Sequence, residues 1–590
     1  MKFANNFEAL ETRTLCSVYS VTSEANSGPG SLREALTLSN NSVDVYDTIE
    51  FHLNGAPGQL FRIKPTTKLP TITDPVKITG ATQRFYDGSP QVDIDGSLCT
   101  TAGANGLEIS TSNSLIVGLA FANFAGGAGV RINGNSNGVH ECYMGLRGYG
   151  AANANARGVY IAGGSGNVIG ANGAYRGNVI SGNAGSGVRV IGETASYNTI
   201  RGNLIGTNVY GRKPIGNGAQ GVYVGSGVTG TFISGNTISG NAGNGIQISG
   251  GDHTTIKLNN IGLDRDGGGF VPNGANGIRI DNGGHHNTIG VLADPSAQNK
   301  IACNDQDGVC IVSGVANTIA ANEIRDNGQL GIDLGNDGIT PNDVGDADAG
   351  ANTLLNAPTV VGAYWYGGTT QMHIAFTAAP STTYTCNVFY NDAPNQHGLA
   401  EGGKTLATLA LTTNAGGQYD GWIPSFVDAP NAFLSATLTD PAGNTSEFSN
   451  VVHVRNDATR IPTMTITDAI VIEGNRDTSD VFLTVRLSSP LPTRLKYHWT
   501  SVNGTAFHDQ DFIGSGTGSI AAGQTTDVIR VRVVDDTVPE PQEFFGVVIS
   551  PDQPALVDVT KFQSTVAILA NDGWASPFDA DRSIVVDLIA

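Results

Sequence analysis

The sequence predicts an all-β protein: a parallel β-helix followed by two β-sandwich domains. Three observations carry this. Of 590 residues, 79 are glycine and only 14% are charged, a mixture that weakens helices and multiplies tight turns. A glycine–apolar–x–apolar tetrad recurs through the first two thirds of the chain. From about residue 357 that pattern gives way to longer alternating segments with turn signals, as in sandwiches.

Before any repeat, the chain starts "MKFANNFEALETRTLCSV", which lacks the apolar run of an ordinary secretory signal. Residues 17–100 are expected to hold a cap and the first strands. In "SLREALTLSN", 31–40, Ser31 is placed as a helix N-cap with Glu34 reaching back. The helix would cover the open end that every solenoid has. "DTIEFHL", 47–53, reads as a first strand.

Residues 101–356 form the repeats. Tetrads begin at 106, 129, 158, 187, 221, 245, 277, 308 and 331, so the steps run from 23 to 34 residues and reduce to a basic unit of 23 or 24 with insertions. Between them lie "NVISGN", "NTIRGN", "NTISGN" and "NTIAAN". Alternation sends every other side chain inward, and a unit of this length closes one coil, stacked about 4.8 Å from the next. Glycine suits corners that need positive φ. Asparagine tolerates them too, and its amides can hydrogen-bond from coil to coil.

"GPGSLREAL…DTIEF" followed by Gly/Asn-rich coils resembles the exported right-handed parallel β-helix proteins. "FEALETRTL", within 1–16, resembles the LEPR-type sorting motif of bacterial surface and secreted proteins, with Thr12 where that motif has proline. The two resemblances imply export from a bacterial cell and an extracellular or cell-surface place.

The middle residues of the tetrads are Glu108, Arg131, Tyr160, Arg189, Tyr223, Gln247, Arg279, Cys310 and Asp333. In register they make one outward ladder. Tyrosine and arginine stack on rings and hydrogen-bond hydroxyls or carboxylates, so Arg131, Tyr160, Arg189, Tyr223, Gln247 and Arg279 are candidate ligand-binding residues for a polysaccharide or a cell-surface or matrix protein. The insertions are expected to edge this face with Tyr149, Tyr175, Arg176, Tyr210, Arg212 and Lys213. The alternative is a polysaccharide lyase or glycoside hydrolase on the coils; acids are sparse there, and no pair recurs on one column. Asp264 and Asp266 share an insertion loop, and His285 and His286 share a corner; both sets read as solvated. A structural spacer is the third reading.

"GIDLGNDGITPNDVGDADAG" gathers Asp333, Asp337, Asp343, Asp346 and Asp348 where the solenoid ends. Carboxylates this close repel unless hydrated or bridged, and calcium accepts six to eight oxygens. A capping loop is the equal alternative.

Residues 357–456, with "FLSATLTDPAGNTSEFSN", resemble the Ig-like module that follows such β-helices. Residues 457–573 resemble a Calx-beta domain through "VIEGNRDTSDVFLTVRLS", "SVNGTAFHDQDF", "VVDDTVPEPQEF" and "VAILANDG". The resemblance implies calcium held by Glu473, Asp511, Asp535, Asp536, Glu540, Glu543 and Asp572. The tail 574–590 is expected to be an extra strand or part of an anchor.

The six cysteines lack zinc spacing. Cys303 and Cys310 are either a disulfide around one turn or buried small apolar residues. The formal charge of −20 disfavours nucleic acid and anionic membrane as partners, and no apolar run is long enough to span a membrane.

Overall fold

The computed structural model describes residues 17–42, 46–147, 150–171, 176–291, 295–366, 369–395, 399–426, 429, 432–456, 462–474, 478–491, 493–535, 542–553 and 556–569. The chain divides into two compact units. The first holds residues 1–359, 376–419 and 433–451; the second holds 360–375, 420–432 and 452–590. Residues 357–456 therefore contribute to both units. The segments 1–16 and 574–590 lie outside the described residues.

In the first unit three parallel sheets of 11, 10 and 9 strands run side by side. Each coil visits them in turn, as in Leu115–Val117, Ala120–Ala122 and Ala128–Ile132. The alternation puts one isoleucine per strand inside. Ile169, Ile200, Ile233, Ile256 and Ile289 stack in the first sheet, and Ile180, Ile205, Ile238, Ile261 and Ile301 in the second. Every one of them is 0% exposed, a burial worth about 1.5–3 kcal/mol per side chain.

The corners hold a second set of columns. Asn155, Asn183, Asn217, Asn241, Asn273, Asn304 and Asn327 pass an amide hydrogen bond, Nδ2–H to Oδ1, from coil to coil at 2.8–3.1 Å. Asn178, Asn203, Asn236, Asn259, Asn299 and Asn322 do the same at another corner, at 2.9–3.0 Å. Asn137, Asn167 and Asn198 start a third column. The four "N-x-I-x-x-N" stretches thus fall on two walls: "NVISGN" and "NTISGN" carry second-sheet strands, "NTIRGN" and "NTIAAN" first-sheet strands.

The tetrad glycines serve close packing rather than positive φ, since none of them lies in the left-handed region. A Cβ on Gly221 would sit 2.5 Å from Ile238 Cγ2 and 2.7 Å from the carbonyl oxygen of Gly245. The left-handed corners are separate residues such as Gly202, at φ 65°.

Both ends of the solenoid are closed. The α-helix Leu32–Asn41 buries Leu32, Ala35 and Leu36 against the core. Ser31 Oγ accepts the Glu34 N–H at 3.2 Å, while Glu34 reaches back one residue beyond the N-cap, to the Gly30 N–H, at 2.6 Å. At the other end, residues of the following sheet satisfy the last coil. The Glu401 carboxylate accepts the N–H groups of Asp326 and Asn327 at 2.7 and 3.1 Å, ending the longest asparagine column. Asn444 Oδ1 accepts the Ala316 N–H, Thr445 Oγ1 that of Ile319, and Glu447 that of Leu334. Burial pushes Glu401 up to about 7 and raises Glu447 as well. That following sheet centres on Thr383–Asn391, between Lys404–Thr412 and Phe433–Thr439.

Cys303 and Cys310 are free thiols. Cys310 lies within a third-sheet strand between Arg279 and Asp333, whereas Cys303 follows the second-sheet strand Lys300–Ala302. The two stand on different walls, so no bond forms.

In the second unit, residues 463–569 make two five-stranded sheets over a core that includes Leu483, Tyr497, Phe512, Val531 and Phe545. Phe512 and Phe545 stack with ring centroids 4.1 Å apart. No helix among the described residues is long and apolar enough to cross a membrane.

Candidate functional site

The third sheet carries the tetrads, and their middle residues fall into one register. Glu108 pairs with Arg131, Arg131 with Tyr160, Tyr160 with Arg189, and Arg189 with Tyr223. Tyr223 then pairs with Gln247, Gln247 with Arg279, Arg279 with Cys310 and Cys310 with Asp333. Insertions of several residues in the loops leave the register untouched. At about 4.8 Å per coil, the ladder from Arg131 to Arg279 runs roughly 24 Å.

Its side chains are half-buried and hold one another. The guanidinium carbons of Arg131 and Arg157 both lie 5.3 Å from the Tyr160 ring centroid, and that of Arg189 lies 4.4 Å from Tyr223. Each such contact is worth about 0.5–1 kcal/mol at an exposed site. Further along, Gln220 donates to Gln247, and Gln247 to Asp281, both at 2.7 Å. Arg279 donates to Asp281 at 3.1 Å and to Asn336 at 2.9 Å. At the first end Lys68 meets Glu108 at 2.8 Å. Burial acts to raise the Glu108 carboxyl, but Lys68 and Arg131 hold it below the usual range. Cys310 and Asp333 close the ladder as buried residues.

The insertions do not all edge this face. Those at 207–214 and 263–270 form small stacked hairpins between the second and third sheets. There the Arg265 N–H donates to the Gly211 carbonyl, and Arg212 pairs with Asp266 at 2.8 Å. Tyr210, Arg212 and Lys213 belong to the 207–214 hairpin. Arg176 instead sits between the first and second sheets, where its N–H donates to Glu141 at 3.0 Å. Tyr149 and Tyr175 lie outside the described residues.

The five junction acids separate. Asp343, Asp346 and Asp348 bring carboxylate oxygens within 4.8 Å of one another. Burial first, then Asp343, Asp348 and Asp440, raise the Asp346 carboxyl. Asp333 and Asp337 do not join them. Asp333 is a buried ladder residue whose two oxygens accept the N–H groups of Asn336 and Gly338, at 2.8 and 3.3 Å.

Of the seven acids expected to hold calcium in the last sandwich, Asp536, Glu540 and Asp572 lie outside the described residues. The other four are linked through their backbone neighbours. The Glu473 N–H donates to the Leu569 carbonyl, Val534 N–H to the Asp511 carbonyl, and Glu543 pairs with Ile568. Asp535 accepts the Gly474 N–H at 2.9 Å and the Ser479 hydroxyl at 3.0 Å. No three of these four bring ligand oxygens within 4.8 Å among the described residues. An all-carboxylate set on loops and strand ends fits a hard cation in chemistry.

Sequence reasoning overlooked the capping set Glu401, Asn444, Thr445 and Glu447. It also passed over a corner where Asp252 and His285 pair one coil apart. The signal for the latter was present, in "GDHTTI" at 251–256 and "GHHNTI" at 284–289.

Residues 85–261 match the family of right-handed beta helix regions. No curated protein matches the chain. Among solved structures, CBD12 from CALX1.2 aligns at 24% identity over 19% of this chain and 46% of its own, with TM-score 0.17. This chain therefore spans about half the length of that structure. The apo-form Calx CBD1 domain aligns at 25% identity over 19% of this chain and all of its own, TM-score 0.17. The A-module of mannuronan C-5 epimerase AlgE4 from Azotobacter vinelandii aligns at 14% identity over 53% of this chain and 90% of its own, TM-score 0.33.

Proposed function

We propose that this is an exported bacterial surface or extracellular protein that holds a polysaccharide along the third-sheet ladder. A calcium ion at the end of its C-terminal sandwich would stiffen that module, and adhesion or matrix attachment is the role. The observation that carries the reading is the unbroken register from Arg131 to Arg279, in which guanidinium groups are already stacked on Tyr160 and Tyr223. Side chains ordered before binding lose little rotamer freedom on contact. A rigid strip roughly 24 Å long, at about 4.8 Å per coil, suits an extended chain of several sugar rings. Ring faces would lie on the tyrosines, with hydroxyls or carboxylates on the arginines.

In the sandwich, Glu473, Asp511, Asp535 and Glu543 would supply the oxygens, joined by Asp536, Glu540 and Asp572. A bound calcium supplies the positive charge that lets several carboxylates share one strand end.

A glycan array probed with the full chain tests the ladder. Binding that falls at least tenfold in Tyr160→Ala and Arg189→Ala supports it. Cleavage of a bound polysaccharide transfers the assignment to a lyase or hydrolase. Silence across acidic and neutral glycans leaves the spacer.

A further inference from the structure

We propose that His253, His285 and His286, with Asp252 behind them, form a surface site for a divalent transition-metal ion of the zinc class. The site lies on the corner between the third and first sheets, just after the third-sheet strands Ile246–Ser249 and Ile278–Asp281.

Four residues from two successive coils are placed together by the parallel register. Asp252 bridges to His285, Thr255 pairs with Thr288, and the His253 N–H donates to the His285 carbonyl at 3.3 Å. That stacks His253 on His286, with ring centroids 5.1 Å apart and planes 13° from parallel. His285 meets His286 edge-on, also at 5.1 Å. Three of the ten histidines of the chain are thereby collected on one small patch.

Their hydrogen bonds select the tautomer that binds metal. His253 Nδ1 lies 3.1 Å from an Asp252 oxygen, and His285 Nδ1 lies 3.1 Å from the Gly283 carbonyl. Both partners accept only, so in the neutral ring the proton belongs on Nδ1, which leaves the Nε2 lone pair for a metal. A carboxylate behind a ligating imidazole orients the ring and raises its basicity, the usual support of a zinc histidine.

His253 and His286 sit at φ 51° and 53°, in a corner column whose other coils place Gly166, Tyr197, Gly230 and Ala316 at positive φ as well. Zinc–nitrogen bonds of about 2.0–2.1 Å place tetrahedral ligand atoms about 3.3 Å apart. The ligand nitrogens of the three rings do not all lie within 4.8 Å of one another; His253 and His286 are exposed, and binding would turn their rings about χ1 and χ2 toward one ion. Three imidazoles and a water complete the tetrahedron, and imidazole suits zinc, copper and nickel better than calcium or magnesium.

The test uses the metal-free full chain titrated with zinc chloride by calorimetry, and with cobalt(II) by visible absorption. One zinc per chain is expected, with affinity lowered at least tenfold in His285→Ala and in the double variant H253A/H286A. Cobalt is expected to give tetrahedral bands without the sulfur charge-transfer band that Cys99 or Cys303 would add. Melting without metal is expected to be the same in wild type and variants, because these side chains are largely outside the core. Zinc binding that survives unchanged in the double variant, a sulfur band, or no binding in the wild type overturns the proposal.

Discussion

Replacing Asn217 by alanine isolates what the asparagine columns contribute. Asn217 is 0% exposed. Its Oδ1 accepts from the N–H and the Nδ2–H of Asn183, at 3.2 and 2.8 Å. Its own Nδ2 donates to the Ile180 carbonyl and to Asn241 Oδ1, at 2.9 and 2.8 Å. Truncation removes all four of these bonds; the Ile180 carbonyl keeps its bond from the Gly206 N–H at 3.0 Å, while the Asn183 N–H is left buried without its acceptor. At about 0.5–1.5 kcal/mol net per bond the loss is about 2–6 kcal/mol, and stranding that N–H keeps it above the bottom of the range. Asn217→Asp keeps the acceptor and, when protonated, offers one O–H donor in place of the two N–H donors. Its carboxyl must be neutral to sit there, so its deficit should shrink as pH falls. Guanidinium unfolding followed by far-ultraviolet circular dichroism measures both variants. Tyr223→Ala is the control, expected to lose about 1 kcal/mol with its cation–π contact. A deficit for Asn217→Ala under 1 kcal/mol would refute the view that the columns hold the coils.

Three further outcomes follow from the same geometry. The buried Glu401 has its folded value raised from 4.5 to about 7, so the folded state binds the extra proton between those values. Its contribution, about 3 kcal/mol at most, is present below pH 4.5 and lost as pH rises through about 7. Melts from pH 5 to 8 should show the loss, and Glu401→Gln should shrink it. In the last sandwich, calcium at a hundred times its dissociation constant should add about 2.7 kcal/mol; calorimetric melting should show this gain in the wild type and its absence in Asp535→Ala. On the ladder, Arg189→Lys keeps the charge and loses the planar stack on Tyr223, so glycan affinity should fall several-fold; equal binding by array would show that charge alone matters.

The solenoid was legible because its rule is local. Period-two alternation and a glycine where a Cβ would strike the next coil identify each tetrad, and the register of Arg131 through Arg279 follows without any long-range knowledge. Two local signals are ambiguous. "NVISGN" and "NTIRGN" look alike because an asparagine column flanks strands of both sheets, and insertions look alike whichever corner they leave. Arg176 therefore sits apart from Arg212. The junction acids were grouped by spacing, although Asp333 points along a strand and is used up by its own turn. The cap was illegible for a different reason. Glu401 and Asn444 meet partners 74 to 128 residues earlier, and no periodicity links a carboxylate in a sandwich loop to the last rung it completes.

That closing set has a meaning for how the protein behaves in a crowd. A stack of coils is in principle endless, since each rung offers the next a fresh row of amide donors and acceptors. Glu401, Asn444, Thr445 and Glu447 occupy that row, and the helix Leu32–Asn41 shields the opposite one. A fragment cut at residue 356 would bare one terminus as a sticky template and join end to end into filaments. The solenoid keeps a defined number of coils because both of its tips are plugged.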